Sequence, residues 1–184
     1  MASTWMLALS GLLPLVSLFA ILPLGLYLVA RWRDKNSPTP DTQLGFKFVL
    51  HLFRVIAYQL LLAGMFIALA SALEWRINMV PVALGLLVPA IIVFGVCAWI
   101  LACTNEQSYP AVARLFAGYN LITTGITGFV ALVVLFQILF QIAFARHGRI
   151  EMPLFAFPAV YTTAWIIQGV LFGRKILKCA PKAK

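Results

Sequence analysis

The sequence predicts an all-α, polytopic membrane protein with five transmembrane helices, and three observations lead there. Of its 184 residues 63% are hydrophobic and only 10% are charged, against roughly a quarter charged in a soluble globular domain. All 19 charges fall into five short zones: 31–54, 74–76, 106–114, 146–151 and 174–184. The uncharged stretches outside them are 19 to 31 residues long, and a bilayer-spanning helix needs about 20. Transmembrane strands span about 10 residues and alternate in polarity, so continuous runs of this length exclude a barrel. They also exclude a soluble enzyme, an extracellular disulfide module and a separate nucleic-acid domain.

The first span is expected near 5–30. No Lys or Arg precedes it, and its apolar stretch exceeds the roughly 7–15 residues of a signal peptide, so a retained helix is expected. The second runs near 54–74. Arg54 and Glu74 are 20 residues apart, about 30 Å of helix and the thickness of the hydrocarbon layer, which makes them its two interfacial ends. A third span near 79–103 follows a very short connection and should form a hairpin with the second. The fourth, near 115–144, lies in 31 uncharged residues and needs tilt or an interfacial extension. The fifth is expected near 154–173. Pro14, Pro23 and Pro89 lie inside spans, where each removes a backbone hydrogen bond and kinks its helix.

Orientation follows from the bias of Lys and Arg toward the cytoplasmic side. With five spans, eleven of the 14 basic residues share one side, and Arg76, Arg146 and Arg149 lie on the other. The N-terminus is therefore expected outside and the C-terminus in the cytoplasm, with 31–47 a short cytoplasmic loop and 174–184 a basic tail. Basic residues beside spans attract anionic lipid headgroups at roughly 1 kcal/mol each. Anionic lipid is thus the expected partner of Arg174, Lys175 and Lys178, and the net charge of +9 does not call for nucleic acid. A plasma or bacterial inner membrane fits this asymmetry. Cys179 is a candidate for palmitoylation in a eukaryotic host.

Two groups of residues carry candidate chemistry. Lys47, His51, Arg54 and Tyr58 recur at helical spacing and form one stripe. The functional reading is an interfacial anion or lipid-headgroup site, with His51 as a proton-linked switch; the structural one is snorkelling of Arg54 at the end of span two, with Lys47 and His51 on an interfacial extension. On span four Thr123 and Gln141 coincide at 100° per residue, and Asn120, Thr127 and Gln137 fall within about 60° of them, with Gly118, Gly125 and Gly128 roughly opposite. That polar face is a pore or subunit seam, or else it hydrogen-bonds to neighbouring helices.

No catalytic set is present. Both histidines, His51 and His147, and all five carboxylates lie near span ends, far from the base-plus-clamp arrangement that hydrolysis needs. Cys97 and Cys103 sit on different faces of span three without histidine or acid beside them, so neither a metal site nor a cofactor is expected. Trp99 and Trp165 read as packing residues. Two functions fit: an oligomeric channel or transport unit with span four facing the path, or a non-catalytic accessory subunit of a larger membrane complex.

Overall fold

The apolar runs fold as helices. The computed structural model of the protein describes residues 23–36, 42–74, 77–104, 109–144 and 155–179. Helix α1 occupies 23–35, α2 Leu44–Glu74, α3 Val80–Ala102, α4 Tyr109–Phe144 and α5 Ala156–Cys179, with a single 3-10 turn, Ile77–Met79, between α2 and α3. Among the described residues every regular element is helical. In hydrocarbon this is the economical solution, since a helix satisfies its own backbone hydrogen bonds within one segment.

Three stretches, Leu44–Glu74, Ile77–Ala102 and Val112–Phe144, are long and apolar enough to cross a membrane. The apolar part of α5, Ala156–Leu171, is shorter. Most of the expected first span, with Pro14, lies outside the described residues; Pro23 opens the described part of α1.

Helix ends agree with the charge zones more closely than helix starts. The second, third and fourth helices stop at Glu74, Ala102 and Phe144. At the end of α3 the Cys103 amide donates to the Ile100 carbonyl at 3.0 Å, and the Thr104 hydroxyl donates to the Leu101 carbonyl at 2.7 Å. These bonds serve carbonyls that a helix end leaves without an intrahelical partner. By contrast α2 begins at Leu44 and α4 at Tyr109, ahead of the expected 54 and 115. The connection expected over 31–47 is correspondingly shorter, because α1 continues to residue 35. A helix does not have to stop where the apolar layer stops. At 36 residues, α4 is about 54 Å long at 1.5 Å per residue, well beyond the hydrocarbon thickness of about 30 Å.

Helix α2 is the hub. Its first turns join Leu44, Phe48 and Val55 to Val112, Phe116 and Tyr119 of α4, with Leu26 and Tyr27 of α1 against them. Phe48 lies edge-on to Phe116 at 4.7 Å and to Tyr27 at 5.2 Å between centroids, the geometry that the ring quadrupoles favour. On another face Leu50 packs with Cys97 and Leu101 of α3, and further along Leu62 packs with Val160 and Ala164 of α5. The α3 helix is packed extensively against α2, and α5 against α4 and α2.

Two glycines set the closest approaches. A methyl group on Gly64 would stand 2.8 Å from Leu87 Cγ, and one on Gly128 would stand 2.7 Å from Trp165 Cβ. Small residues at such seams are how membrane helices gain packing. Two of the three Leu87 atoms that the Gly64 methyl would meet, Cγ and Cδ2, belong to a flexible side chain, and the third is the backbone nitrogen at 3.3 Å. Gly64→Ala is therefore expected to cost less than about 1 kcal/mol, below the usual range for overpacking, as measured by unfolding in mild detergent.

Of the two tryptophans expected to pack, Trp165 does so against Gly125 and Gly128. Trp99 instead is exposed on the outside of α3, because α3 buries its opposite side, Ala83, Ala90, Cys97 and Leu101.

Candidate functional site

The helix starts of α2 and α4 and the ends of α3 and α5 come together around one cavity of about 550 Å³. Its polar wall is formed by His51, Arg54 and Tyr58 of α2, Asn120 of α4 and Gln168 of α5. The rest is apolar, with Phe94 of α3, Phe116 of α4, and Ile167 and Leu171 of α5. Among the described residues that line it there is no carboxylate.

The basic stripe of α2 is directed into the bundle rather than along its surface. Lys47 is completely buried, at 0% exposure, and His51 is buried as well. The His51 ring stacks on Phe116 with centroids 5.6 Å apart and planes 13° from parallel. Arg54, half-buried, holds its guanidinium 4.7 Å from the centre of the Phe94 ring, within the roughly 6 Å of a cation–π contact. Spacing alone placed these side chains on one face; the aromatic neighbours on α3 and α4 determine that the face is turned inward. Lys47 and His51, expected on an extension of span two, lie on the first turns of α2 and are buried there.

The polar residues of α4 divide into two sets. Asn120 and Thr123 are buried against α2, where the Gln59 side-chain amide donates to Asn120 Oδ1 at 3.1 Å and to Thr123 Oγ1 at 3.2 Å. The threonine hydroxyls also bond back to their own helix. Thr123 donates to the Asn120 carbonyl at 3.0 Å, and Thr127 to the Thr123 carbonyl at 3.1 Å, a habit that competes with outward contacts. Gln137 and Gln141, by contrast, are exposed on the far half of α4. The face expected to be continuous is thus an interhelical bond at one end and an outward surface at the other. Only Asn120 of that set lines the cavity.

Gln59 and Gln168 are the residues the sequence reading passed over. Each is an amide inside an apolar run, a signal in its own right, though a fainter one than the five polar residues of α4. Gln59→Leu is expected to cost about 0.6–1.7 kcal/mol, the range of polar contacts between membrane helices, because it strips the bridge from both Asn120 and Thr123. Unfolding of the variant in detergent checks this.

Arg174, Lys175 and Lys178 fall on the last turns of α5, which runs to Cys179, so the expected tail is helical over its first part. Residues 180–184 and the outer loop with His147 lie outside the described residues.

Comparison with known proteins found no matching family model, no similar curated protein and no similar solved structure. The functional reading therefore rests on the cavity and its chemistry.

Proposed function

We propose that the protein is a small multi-pass membrane transport unit whose working site is the cavity between α2, α3, α4 and α5, and that the site takes an anion. One observation carries this reading: Arg54 stands in a pocket with His51, Tyr58, Asn120 and Gln168, and no carboxylate lines it among the described residues. A cation in a partly desolvated site without a counter-charge gains strongly from an anionic ligand, since charge-assisted hydrogen bonds are roughly twice as strong as neutral ones. The volume lies in the roughly 300–1,000 Å³ range of ligand sites.

In this reading five spans cross a plasma or bacterial inner membrane with the N-terminus outside and the C-terminus in the cytoplasm. The cavity then lies toward the cytoplasmic side, beside the basic zones. The fourth span faces the path through Asn120, while Gln137 and Gln141 face a second copy. The test is binding and flux of inorganic phosphate with purified protein in neutral phosphatidylcholine vesicles. Saturable binding with movement across the bilayer supports a transport unit, and binding of neither inorganic phosphate nor an anionic lipid refutes the site.

The accessory-subunit reading keeps one observation in its favour. On the outer half of α4, Gln137 and Gln141 stand exposed beside Phe136, Phe140 and Phe144, and amides in a lipid-facing surface gain from a protein partner. Gln137→Leu together with Gln141→Leu is expected to shift a homo-oligomer to monomer, measured by light scattering in detergent. A wild-type chain that is already monomeric points to partners of a different kind.

A further inference from the structure

The cavity is polar toward α2 and α4 and mostly apolar toward α3 and α5, and between these last two helices the bundle is open. Phe94 belongs to α3, and Ile167 and Leu171 belong to α5. These two helices are each packed on α2, but extensive packing between them is absent among the described residues. Ile167 and Leu171 are themselves 52% and 51% exposed, so the wall of the cavity is continuous with the lipid-facing surface. An aqueous solute has no use for such an opening; an acyl chain does.

Depth supports the same conclusion. The 20 residues from Arg54 to Glu74 cover about 30 Å of helix, which puts Arg54 near one boundary of a hydrocarbon layer of that thickness. A phospholipid of that leaflet carries its phosphate at the same level. It would bring the phosphate to the guanidinium by moving sideways, without leaving the leaflet.

We infer that the cavity is a binding site for an anionic phospholipid, with the lipid phosphate against Arg54 and the Tyr58 hydroxyl and an acyl chain leaving between α3 and α5 past Phe94, Ile167 and Leu171. The inference rests on the anion-site reading above and adds the source of the anion. Tyr58 and Gln168 supply donors to phosphate oxygens, and Arg54 supplies charge and planar donors suited to phosphate. The Phe94 ring holds the guanidinium from its other side. The apolar lining replaces the lipid environment of the chain, so the ligand keeps its hydrophobic burial while its headgroup gains the cation.

The experiment uses the full chain in phosphatidylcholine nanodiscs containing a trace of phosphatidic acid with a photoreactive acyl chain, the adducts being mapped by mass spectrometry. Adducts are expected on α3 and α5 around Phe94, Ile167 and Leu171. They should fall about tenfold or more in Arg54→Gln, as loss of a charge-assisted hydrogen bond implies. Tyr58→Phe, which removes one hydroxyl and no packing volume, should reduce them to a smaller extent and covers the case in which Arg54→Gln does not fold. Ile167→Trp with Leu171→Trp narrows the opening and should also lower the yield.

Equal labelling by a photoreactive phosphatidylcholine, or labelling indifferent to both Arg54→Gln and Tyr58→Phe, would mean ordinary boundary lipid and overturns the inference. Displacement of the phosphatidic acid probe by millimolar inorganic phosphate would assign the cavity to a free anion. That outcome overturns the lipid source and leaves the anion site standing. If neither probe binds, both readings fail together.

Discussion

Arg54→Gln is expected to lower the affinity of the cavity for an anion by one to two orders of magnitude. The side chain is the only cation in the described lining apart from any protonated His51, and no described carboxylate shares the space. A hydrogen bond to a charged group contributes about 1.5–3 kcal/mol, which converts to roughly 10- to 150-fold in affinity. Glutamine keeps much of the length and polarity of arginine and removes the charge, so the change isolates electrostatics. Arg54→Lys restores the charge without the planar fork and its stacking on Phe94, and should recover only part of the loss. Titration with inorganic phosphate, and with anionic lipid in nanodiscs, measures both variants. Their thermal unfolding should stay close to that of the wild type, because half-buried Arg54 contributes to the edge of the α2–α3 seam rather than to its core. Unchanged affinity in Arg54→Gln would remove the cavity from consideration as the site.

The largest effect on stability is expected from Gly128→Ala. A methyl group there would meet Trp165 Cβ at 2.7 Å, Cγ at 2.9 Å and Cδ2 at 3.1 Å. Real Cβ atoms do not approach so closely, and the atoms being met are the rigid root of an indole rather than the tip of a chain. Either α4 and α5 move apart or the tryptophan leaves its rotamer, and overpacking of this kind costs about 1–3 kcal/mol. Alanine gains about 1 kcal/mol over glycine in intrinsic helix propensity, so a net loss of up to about 2 kcal/mol is expected. Unfolding in detergent measures it, and Trp165→Ala in the same chain should remove most of the added cost, as contacting residues couple. Comparison with Gly64→Ala is the internal control. There the nearest atoms are Leu87 Cγ and Cδ2, which can rotate away. Equal losses at the two glycines would show that helix approach is not set by the residue facing them.

Much of the helical architecture was legible because charge is expensive in lipid and helix ends collect it. Glu74 and the stretch before Arg146 mark where α2 and α4 stop. The starts were harder to place. Leu44 opens α2 ten residues ahead of Arg54, since a helix that leaves the apolar layer can continue, packed on its neighbours, as Phe48 is on Phe116. The site was legible as two separate stripes and not as one place. Helical spacing put Lys47, His51 and Arg54 on a face and Asn120 and Gln141 on another, but spacing carries no information about which helix lies opposite. Packing supplied it: Asn120 and Gln168 joined the first stripe, and Gln137 and Gln141 were left on the outside. Gln59 was invisible for a related reason. Its role is a bond across 61 residues of chain to Asn120, and a lone amide in a sequence does not name its acceptor.

The attachment of α3 has a mechanical consequence. Among the described residues the helix is packed extensively along one seam, to α2, whereas α2 itself joins three separate cores. A body held along one edge swings about that edge at less cost than one clamped on several, so α3 is the leaf of the bundle and α2 its post. Loss of the α3 seam alone would uncover Leu50 and Phe94 and leave the α2–α4 and α2–α5 cores intact. Protection of backbone amides against hydrogen exchange should accordingly be lower along α3 than along the buried turns of α2, even though the α3 stretch is the more apolar of the two.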